Sequence, residues 1–173
     1  MDKKSFEKLI ELQGDRIYGF CRHLCADREE ADELYQETML RAFELRARID
    51  TGSGSATDMT RAGNYVIGIS VKVRKELLKQ KKKRGEEISL DETYPLEDTF
   101  ICGPEEEILR REQKERIRMA VKRLPEKLGV IAHMYYYAGM STEEIAEQLG
   151  IPRGTVKSRL STVRETLRRQ LEE

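Results

Sequence analysis

The chain has few of the residues that carry metal and redox chemistry. It contains three cysteines and two histidines among 173 residues, and His23 and His133 lie far apart in the sequence. No nucleophile motif, phosphate-binding loop or metal-ligand spacing accompanies them, so the sequence predicts no catalytic site, no cofactor and no metal. We therefore expect a protein that is not an enzyme.

Cys21, His23 and Cys25 come close enough in sequence to raise the possibility of a metal site. On a helix, however, each residue is rotated by about 100° from the last, which turns His23 away from both cysteines. Cys21 continues an apolar stripe, so we interpret it as a core residue. With Cys102 the number of cysteines is odd, which argues against structural disulfides in a protein that we expect to be cytoplasmic.

Long hydrophobic runs are also missing. No apolar run approaches the ~20 residues that cross a bilayer, and the first residues, MDKKSFEKL, lack the core of a signal peptide. We expect no membrane span and a cytoplasmic location. The period-two alternation of strands is absent too, whereas apolar residues recur at the three-to-four spacing of helices, so the predicted fold class is all-α.

Charge is balanced in total but not in distribution. The chain has 32 basic and 32 acidic residues, so its formal net charge is zero. Basic residues cluster in 72–84 and acidic residues in 86–107. Such segregation is typical of a protein that contacts a polyanion with one segment and avoids or mimics a polyanion with another.

The helical patterns fall into two groups. Apolar residues predict helices over 6–24, over about 28–48, and from Tyr65 into the basic run that ends at Arg84. The polar stretch 50–63 is too poor in apolar residues to pack, and it is either a disordered tip or a binding loop. We predict two small helical domains, 1–84 and 104–173, joined by a flexible acidic linker at 85–103.

The most informative segment is 141–169. Ser141 and Glu144 form the pattern of a capping box, Gly150 predicts the end of a short helix, and Pro152 suits the first turn of the next. The second helix carries short polar and basic residues on the face opposite its apolar stripe. This combination is typical of a helix-turn-helix with a recognition helix, and an ordinary helical hairpin with a solvated basic face is the alternative.

Several motifs resemble those of bacterial RNA polymerase sigma factors of the extracytoplasmic-function class, the minimal members of the sigma-70 family. The resemblance covers nearly all of the chain. In region 4 it is carried by LPEK at 124–127, YYAGMS at 136–141, LGIP at 149–152 and GTVKSRL at 154–160, and in region 2 by ADELYQET at 31–38, RAF at 41–43 and the helix 65–84. Tyr65 stands where the family usually has tryptophan.

The resemblance implies a subunit that binds core RNA polymerase and directs promoter-specific transcription initiation. The implied partners are the beta-prime clamp helices and the beta flap of the polymerase, promoter DNA, and an anti-sigma factor. The second predicted helix would dock on the clamp helices, and its outward polar residues suit basic partner side chains. These candidate core-binding residues are Asp32, Glu33, Gln36, Glu37 and Arg41.

The resemblance also implies two DNA sites. Region 2 would hold the melted minus-ten element through Arg61, Asn64, Tyr65, Lys72, Lys75 and Lys79, with Tyr65 either a stacking platform or a core residue. Region 4 would contact the minus-thirty-five duplex through Arg153, Thr155, Lys157, Ser158, Ser161, Thr162 and Arg164. The acidic linker either substitutes for RNA in the polymerase exit path or is a solvated tether.

A second class of function fits the helix-turn-helix alone. An autonomous regulator would bind duplex DNA as a dimer and use its first domain for sensing or dimerisation. Such a protein needs neither an acidic polymerase-binding face nor a cationic track for single-stranded DNA. The acidic residues of the second helix and the basic run after Tyr65 therefore favour the sigma factor.

Overall fold

The computed structural model describes residues 1–50, 52–85 and 104–172. In these residues all regular structure is helical, which confirms the predicted all-α class. Of the predicted linker 85–103, only Gly85 lies among the described residues. The helices are α1 (Lys3–Leu24), α2 (Arg28–Glu44), α3 (Ala56–Arg84), α4 (Pro104–Lys122), α5 (Glu126–Ala132), α6 (Thr142–Leu149) and α7 (Arg153–Glu172), with a 3₁₀ turn at Arg46–Arg48 and a π-turn at His133–Tyr137. Of the helices described, none is both long and apolar enough to cross a membrane.

Helices α1 to α3 form the first unit. Each begins at a side-chain cap, because Asp2, Asp27 and Ser55 each accept a hydrogen bond from a backbone N–H in the first turn. The three helices bury a shared apolar core, and the interpretation of Cys21 as a core residue is confirmed by its complete burial. Its largest fully buried side chains are Leu9, Ile17, Phe20, Leu34, Val66 and Ile67.

The prediction of a loop over 50–63 is wrong for its second half. Helix α3 begins at Ala56, and Ser55 and Asp58 satisfy each other's backbone N–H groups in a capping box. Hydrogen bonds from Ser55 and Ser53 hold the pKa of the Asp58 carboxyl below its ordinary value. Met59 and Ala62 are buried one turn apart, so this part of the chain does pack despite its polar composition.

Helices α4 to α7 form the second unit. Its buried side chains include Ile131, Met134, Met140, Ile145, Val156 and Leu160. Tyr135 continues the helical spacing of the apolar residues Leu128 and Ile131, yet it is 37% exposed. The reason is the π-turn at His133–Tyr137, which adds a residue to the turn and shifts the helical register after α5.

The two units are packed against each other. Helix α6 lies on α3, and the π-turn lies on α1. The buried apolar cluster is continuous across this contact, from Val66 and Ile67 of the first unit to Met134 and Ile145 of the second. The predicted arrangement of two domains on a flexible linker does not include this contact.

Candidate nucleic-acid interface

Helices α6 and α7 have the geometry of a helix-turn-helix. Ser141 caps α6 and forms a capping box with Glu144, and Gly150 ends the helix in the left-handed conformation with φ of 63°. The apolar stripe of α7 is anchored by Val156, Leu160 and Val163, each no more than 1% exposed. The second helix is thereby held with its opposite face toward solvent, as the sequence predicted.

The candidate minus-thirty-five residues lie along α7, and all but the partly buried Thr155 are exposed. Two hydroxyls of this face already donate to the helix backbone: Ser158 Oγ to the Thr155 carbonyl at 3.0 Å and Thr162 Oγ1 to the Ser158 carbonyl at 3.2 Å. Their remaining capacity is to accept hydrogen bonds. Lys157 is exposed on the first turns of the helix, where a recognition helix meets base edges.

Arg153 is held back against α6. Its Nε donates to Thr142 Oγ1 at 3.2 Å, and its Nη2 forms an ion pair with Glu143. The hydrogen bond from Thr142, together with the Arg153 charge, keeps the pKa of the Glu143 carboxyl below its ordinary value. In this arrangement Arg153 braces the turn between the two helices, which leaves Lys157 as the cation best placed to reach a groove.

Five of the six candidate minus-ten residues share one face of α3. At about 100° per residue, positions 61, 65, 72, 75 and 79 fall within about 80° of the helix circumference. This basic α3 face comprises Arg61, Tyr65, Lys72, Lys75 and Lys79. The four cations are exposed, whereas Tyr65 is partly buried against the core. The face therefore combines a cationic track with an aromatic ring of limited accessibility.

Asn64, the sixth candidate, is not accessible in this arrangement because it is only 4% exposed. Its side-chain oxygen accepts from Arg16 Nη2 at 2.5 Å, and its Nδ2 donates to Glu144 Oε1 at 2.7 Å. Arg16 also donates to the backbone carbonyl of Ala138. Burial raises the pKa of Glu144, but hydrogen bonds from Ser141 and Asn64 and the charge of Arg16 bring it below its ordinary value. Asn64 thus joins the two units.

Helix α6 covers the middle of the basic α3 face. Gly68 lies on that face, and a Cβ atom there would contact the Cβ and Cδ atoms of Gln148 at 3.0 Å. Nearer the start of α3, Glu144 and Arg61 line a groove of about 360 Å³ together with Ala56, Thr57 and Thr60. Lys72, Lys75 and Lys79 lie beyond the covered part and stay exposed. A bound nucleic acid strand could not follow the whole face while α6 is docked.

Helix α2 presents a separate polar face. Glu33, Gln36 and Glu37 are exposed. Asp32 accepts from Tyr18 Oη at 2.6 Å and has Arg28 Nε at 3.8 Å, and Arg41 Nη2 lies 3.5 Å from Glu76. Asp32 and Arg41 are therefore partly engaged by contacts within the first unit.

Leu40 lies on the same side of α2 and was missed by the sequence analysis. It is 61% exposed and follows Gln36 and Glu37 by one helical turn. The signal was available, since a leucine at this position breaks the polar pattern of the outer face. We call Glu33, Gln36, Glu37 and Leu40 the acidic α2 face; its acidic residues surround one apolar contact point.

The histidines and cysteines form no metal site in the described part of the chain, where no group of three or more potential ligands occurs. Burial raises the pKa of the Cys21 and Cys25 thiols to about 12 each. His23 instead stacks on His133, with ring centroids 4.9 Å apart. The fold thus brings together two histidines that lie far apart in the sequence.

Each of the two units contains a segment that matches a known protein family. Residues 9–58 match the family described as Sigma-70 region 2, and residues 114–167 match Sigma-70, region 4. The region 2 match spans α1, α2 and the start of α3, and it ends before Arg61. The residues of the basic α3 face therefore lie outside the matched segment.

Relatives of similar length cover almost the whole chain. The ECF RNA polymerase sigma factor SigW of Bacillus subtilis (strain 168) is 28% identical over 171 residues, which cover 98% of this chain and 90% of that protein. The RNA polymerase sigma-H factor of Pseudomonas aeruginosa is 24% identical, covering 99% of this chain and 88% of that protein. Among solved structures, the sigma factor RpoE of Bartonella quintana, in complex with the anti-sigma factor NepR, shares the fold with a TM-score of 0.71 at 21% identity over 98% of both chains.

Proposed function

The chain belongs to the extracytoplasmic-function class of the sigma-70 family, and from that membership we propose that it binds core RNA polymerase and directs promoter-specific transcription initiation. The observation that carries this proposal is the match of a single chain to both region 2 and region 4. An autonomous helix-turn-helix regulator needs neither a polymerase-binding face nor a cationic track for single-stranded DNA. Here the first unit adds an acidic face and a basic face, which suit two different partners.

Core polymerase binds to the acidic α2 face in this proposal. Glu33 and Glu37 are exposed one turn apart and suit basic side chains on a partner helix. Leu40 supplies an apolar anchor beside them; because it is 61% exposed, covering it stabilises a complex by about 1–2 kcal/mol. The beta-prime clamp helices are the expected partner of this face.

The basic α3 face holds the minus-ten element as single-stranded DNA. Arg61, Lys72, Lys75 and Lys79 form a cationic track about 27 Å long, given ~1.5 Å per helical residue, which suits a strand of several phosphates. Tyr65 lies within this track and is partly exposed, so a base could stack on the accessible part of its ring. This role requires α6 to move off the face.

Helix α7 reads the minus-thirty-five duplex. Lys157 suits guanine acceptors in the major groove, while Ser158, Ser161 and Thr162 accept from bases or lie near phosphates. Arg153 positions the turn through Thr142 and Glu143 rather than reading bases. Arg164 is exposed farther along the helix and suits a phosphate contact.

Two further protein partners follow from family membership. Exposed apolar side chains on α4, Ile117 at 42% and Met119 at 37%, suit the beta flap of the polymerase. An anti-sigma factor is the expected inhibitor, and it would act by covering the polymerase-binding faces. The RpoE structure of Bartonella quintana contains such an inhibitor, the anti-sigma factor NepR.

Binding to core polymerase tests the first step. Fluorescently labelled protein is titrated with sigma-free core polymerase, and the Gln36→Ala/Glu37→Ala variant is expected to bind at least tenfold more weakly. Glu7→Ala/Glu11→Ala removes two exposed acids of α1 and is the matched control, expected to bind like the unaltered chain. Equal affinity for all three proteins would contradict the assignment of the α2 face.

A further inference from the structure

A cluster of aromatic and imidazole rings lies where the second unit meets α1. His23 in the last turn of α1 stacks on His133, the first residue of the π-turn, with planes inclined by 27°. Tyr137 packs edge-on against His23 at 4.2 Å. The Tyr137 ring also lies over Gly19, where a Cβ atom would meet its hydroxyl and its Cζ. Only a glycine permits this close approach.

Protonation of His133 would place a positive charge close to the guanidinium of Arg74, which makes it unfavourable. Arg74 of α3 faces His133 and bridges to Glu126 of α5, with Nη1 2.8 Å from Oε1. His23 of α1 stacks on His133, and Tyr137 of the π-turn packs against His23. Nε2 of His23 is buried. The Glu126 carboxylate is already paired with Arg74, so it does not neutralise an imidazolium at His133.

His133 is therefore neutral while the units are docked. Burial, together with His23 and Arg74, lowers its pKa to about 3. When the units separate, the imidazole meets water and its pKa returns to about 6.5. Because the docked value is the lower one, docking is at full strength above about pH 6.5 and weakens progressively as the pH falls below it.

We propose that the His23–His133 pair is a pH-sensitive latch, which holds the helix-turn-helix unit on the basic α3 face at neutral pH and releases it in acid. The release itself does not depend on the proposed function. Only the role of the face that release exposes, the binding of single-stranded DNA, rests on that proposal. The same contact that joins the imidazoles keeps α6 over Gly68 and Asn64. For one imidazole, the docked-to-open ratio falls about tenfold between pH 7.5 and pH 5.5.

Interdomain energy transfer measures the latch without polymerase. Dyes are placed on Lys8→Cys and Arg168→Cys, two exposed positions in different units, with Cys102 replaced by serine. The measurement is repeated with Gly68→Ala, which weakens docking and keeps the open fraction measurable. We expect the docked-to-open ratio to fall about tenfold from pH 7.5 to 5.5, and to fall much less in His133→Phe, whose ring cannot be protonated.

Several outcomes would overturn the latch. One is a docked-to-open ratio that does not change with pH. Another is an equally large change of that ratio in His133→Phe, provided that circular dichroism shows this variant to be folded. If it does not fold, His133→Gln takes its place. Binding of a fluorescent single-stranded oligonucleotide of mixed sequence is measured in parallel. Opening at pH 5.5 without tighter oligonucleotide binding in the His133-intact protein would leave the latch standing and contradict the role assigned to the basic α3 face.

Discussion

Replacing Gly68 with alanine is expected to stabilise helix α3 and, at the same time, to weaken the docking of the two units. Gly68 lies inside α3 and is buried beneath Gln148 of α6. An added Cβ would meet the Cβ and Cδ atoms of Gln148 at 3.0 Å and its Oε1 more closely still. The amide can swing away, but the Cβ of Gln148 moves only if α6 itself shifts.

Two effects of opposite sign follow. Alanine stabilises a helix interior by about 0.5–1 kcal/mol relative to glycine, and this gain is the same whether the units are docked or apart. Overpacking by one methyl group costs about 1–3 kcal/mol, and this cost arises only in the docked state. The gain cancels from the docking equilibrium, so Gly68→Ala should shift that equilibrium toward the open form by a factor of about 5 to 150.

The dye pair at positions 8 and 168 reports this shift at pH 7.5. Cys21 is buried, Cys25 is half-buried, and burial raises the pKa of both thiols to about 12, which disfavours their reaction with the dyes. Gly129→Ala is the matched control, because Gly129 lies in α5 with nothing within 4 Å of an added Cβ. A Gly68→Ala protein with the same distance distribution as Gly129→Ala would refute the docked arrangement.

Three further changes test the sites one by one. Ser141→Ala removes the cap of α6 and should cost about 1 kcal/mol of stability in thermal unfolding, with weaker duplex binding; an unchanged melting temperature would contradict the role of the cap. Lys157→Ala should weaken binding to promoter duplex and relax the preference for guanine at one position, by about 1–3 kcal/mol; an equal loss for all sequences, with the slope of log affinity against log salt lowered by about 1, would indicate a phosphate contact and contradict base reading. Leu40→Ala should weaken core-polymerase binding several-fold and leave duplex binding by the isolated protein unchanged. Unchanged polymerase binding with weaker duplex binding would contradict the role of Leu40 as a polymerase contact.

The helix-turn-helix was predictable because its signals are local. Ser141 and Glu144 are three residues apart, Gly150 supplies a left-handed cap, and the apolar residues of α7 repeat at helical spacing. Each of these depends on neighbours within two turns of the chain. The sequence therefore determines α6, the turn and α7 with little help from tertiary contacts.

The start of α3 was missed although its signal is also local. Ser55 and Asp58 form a capping box that the pattern of residues contains, but the glycines, serines and threonines around them suggest a loop. Met59 and Ala62 become recognisable as a buried stripe only when they are joined to Val66. As a result, the loop predicted over 50–63 includes Arg61, whereas the fold holds that residue on a helix.

The contact between the units could not be predicted from the sequence. Arg16, Asn64 and Glu144 come from three distant segments and meet only when α6 lies on α3. The sequence contains only an indirect sign of this contact. Gly19 and Gly68 lie inside helices, where glycine is less favourable than alanine by about 1 kcal/mol, which suggests a close approach by another segment. That cost is offset where Tyr137 and Gln148 approach the helix backbone.

Promoter-dependent transcription tests the central claim most directly. Sigma-free core polymerase is combined with the purified protein on a library of promoter fragments, with Glu7→Ala/Glu11→Ala and Gln36→Ala/Glu37→Ala as paired variants. We predict defined transcripts from a subset of promoters with the unaltered protein and the first variant, and their loss with the second. A protein that binds duplex DNA tightly by itself, while core polymerase gains no promoter-specific transcript, would contradict the sigma-factor account and favour the autonomous regulator.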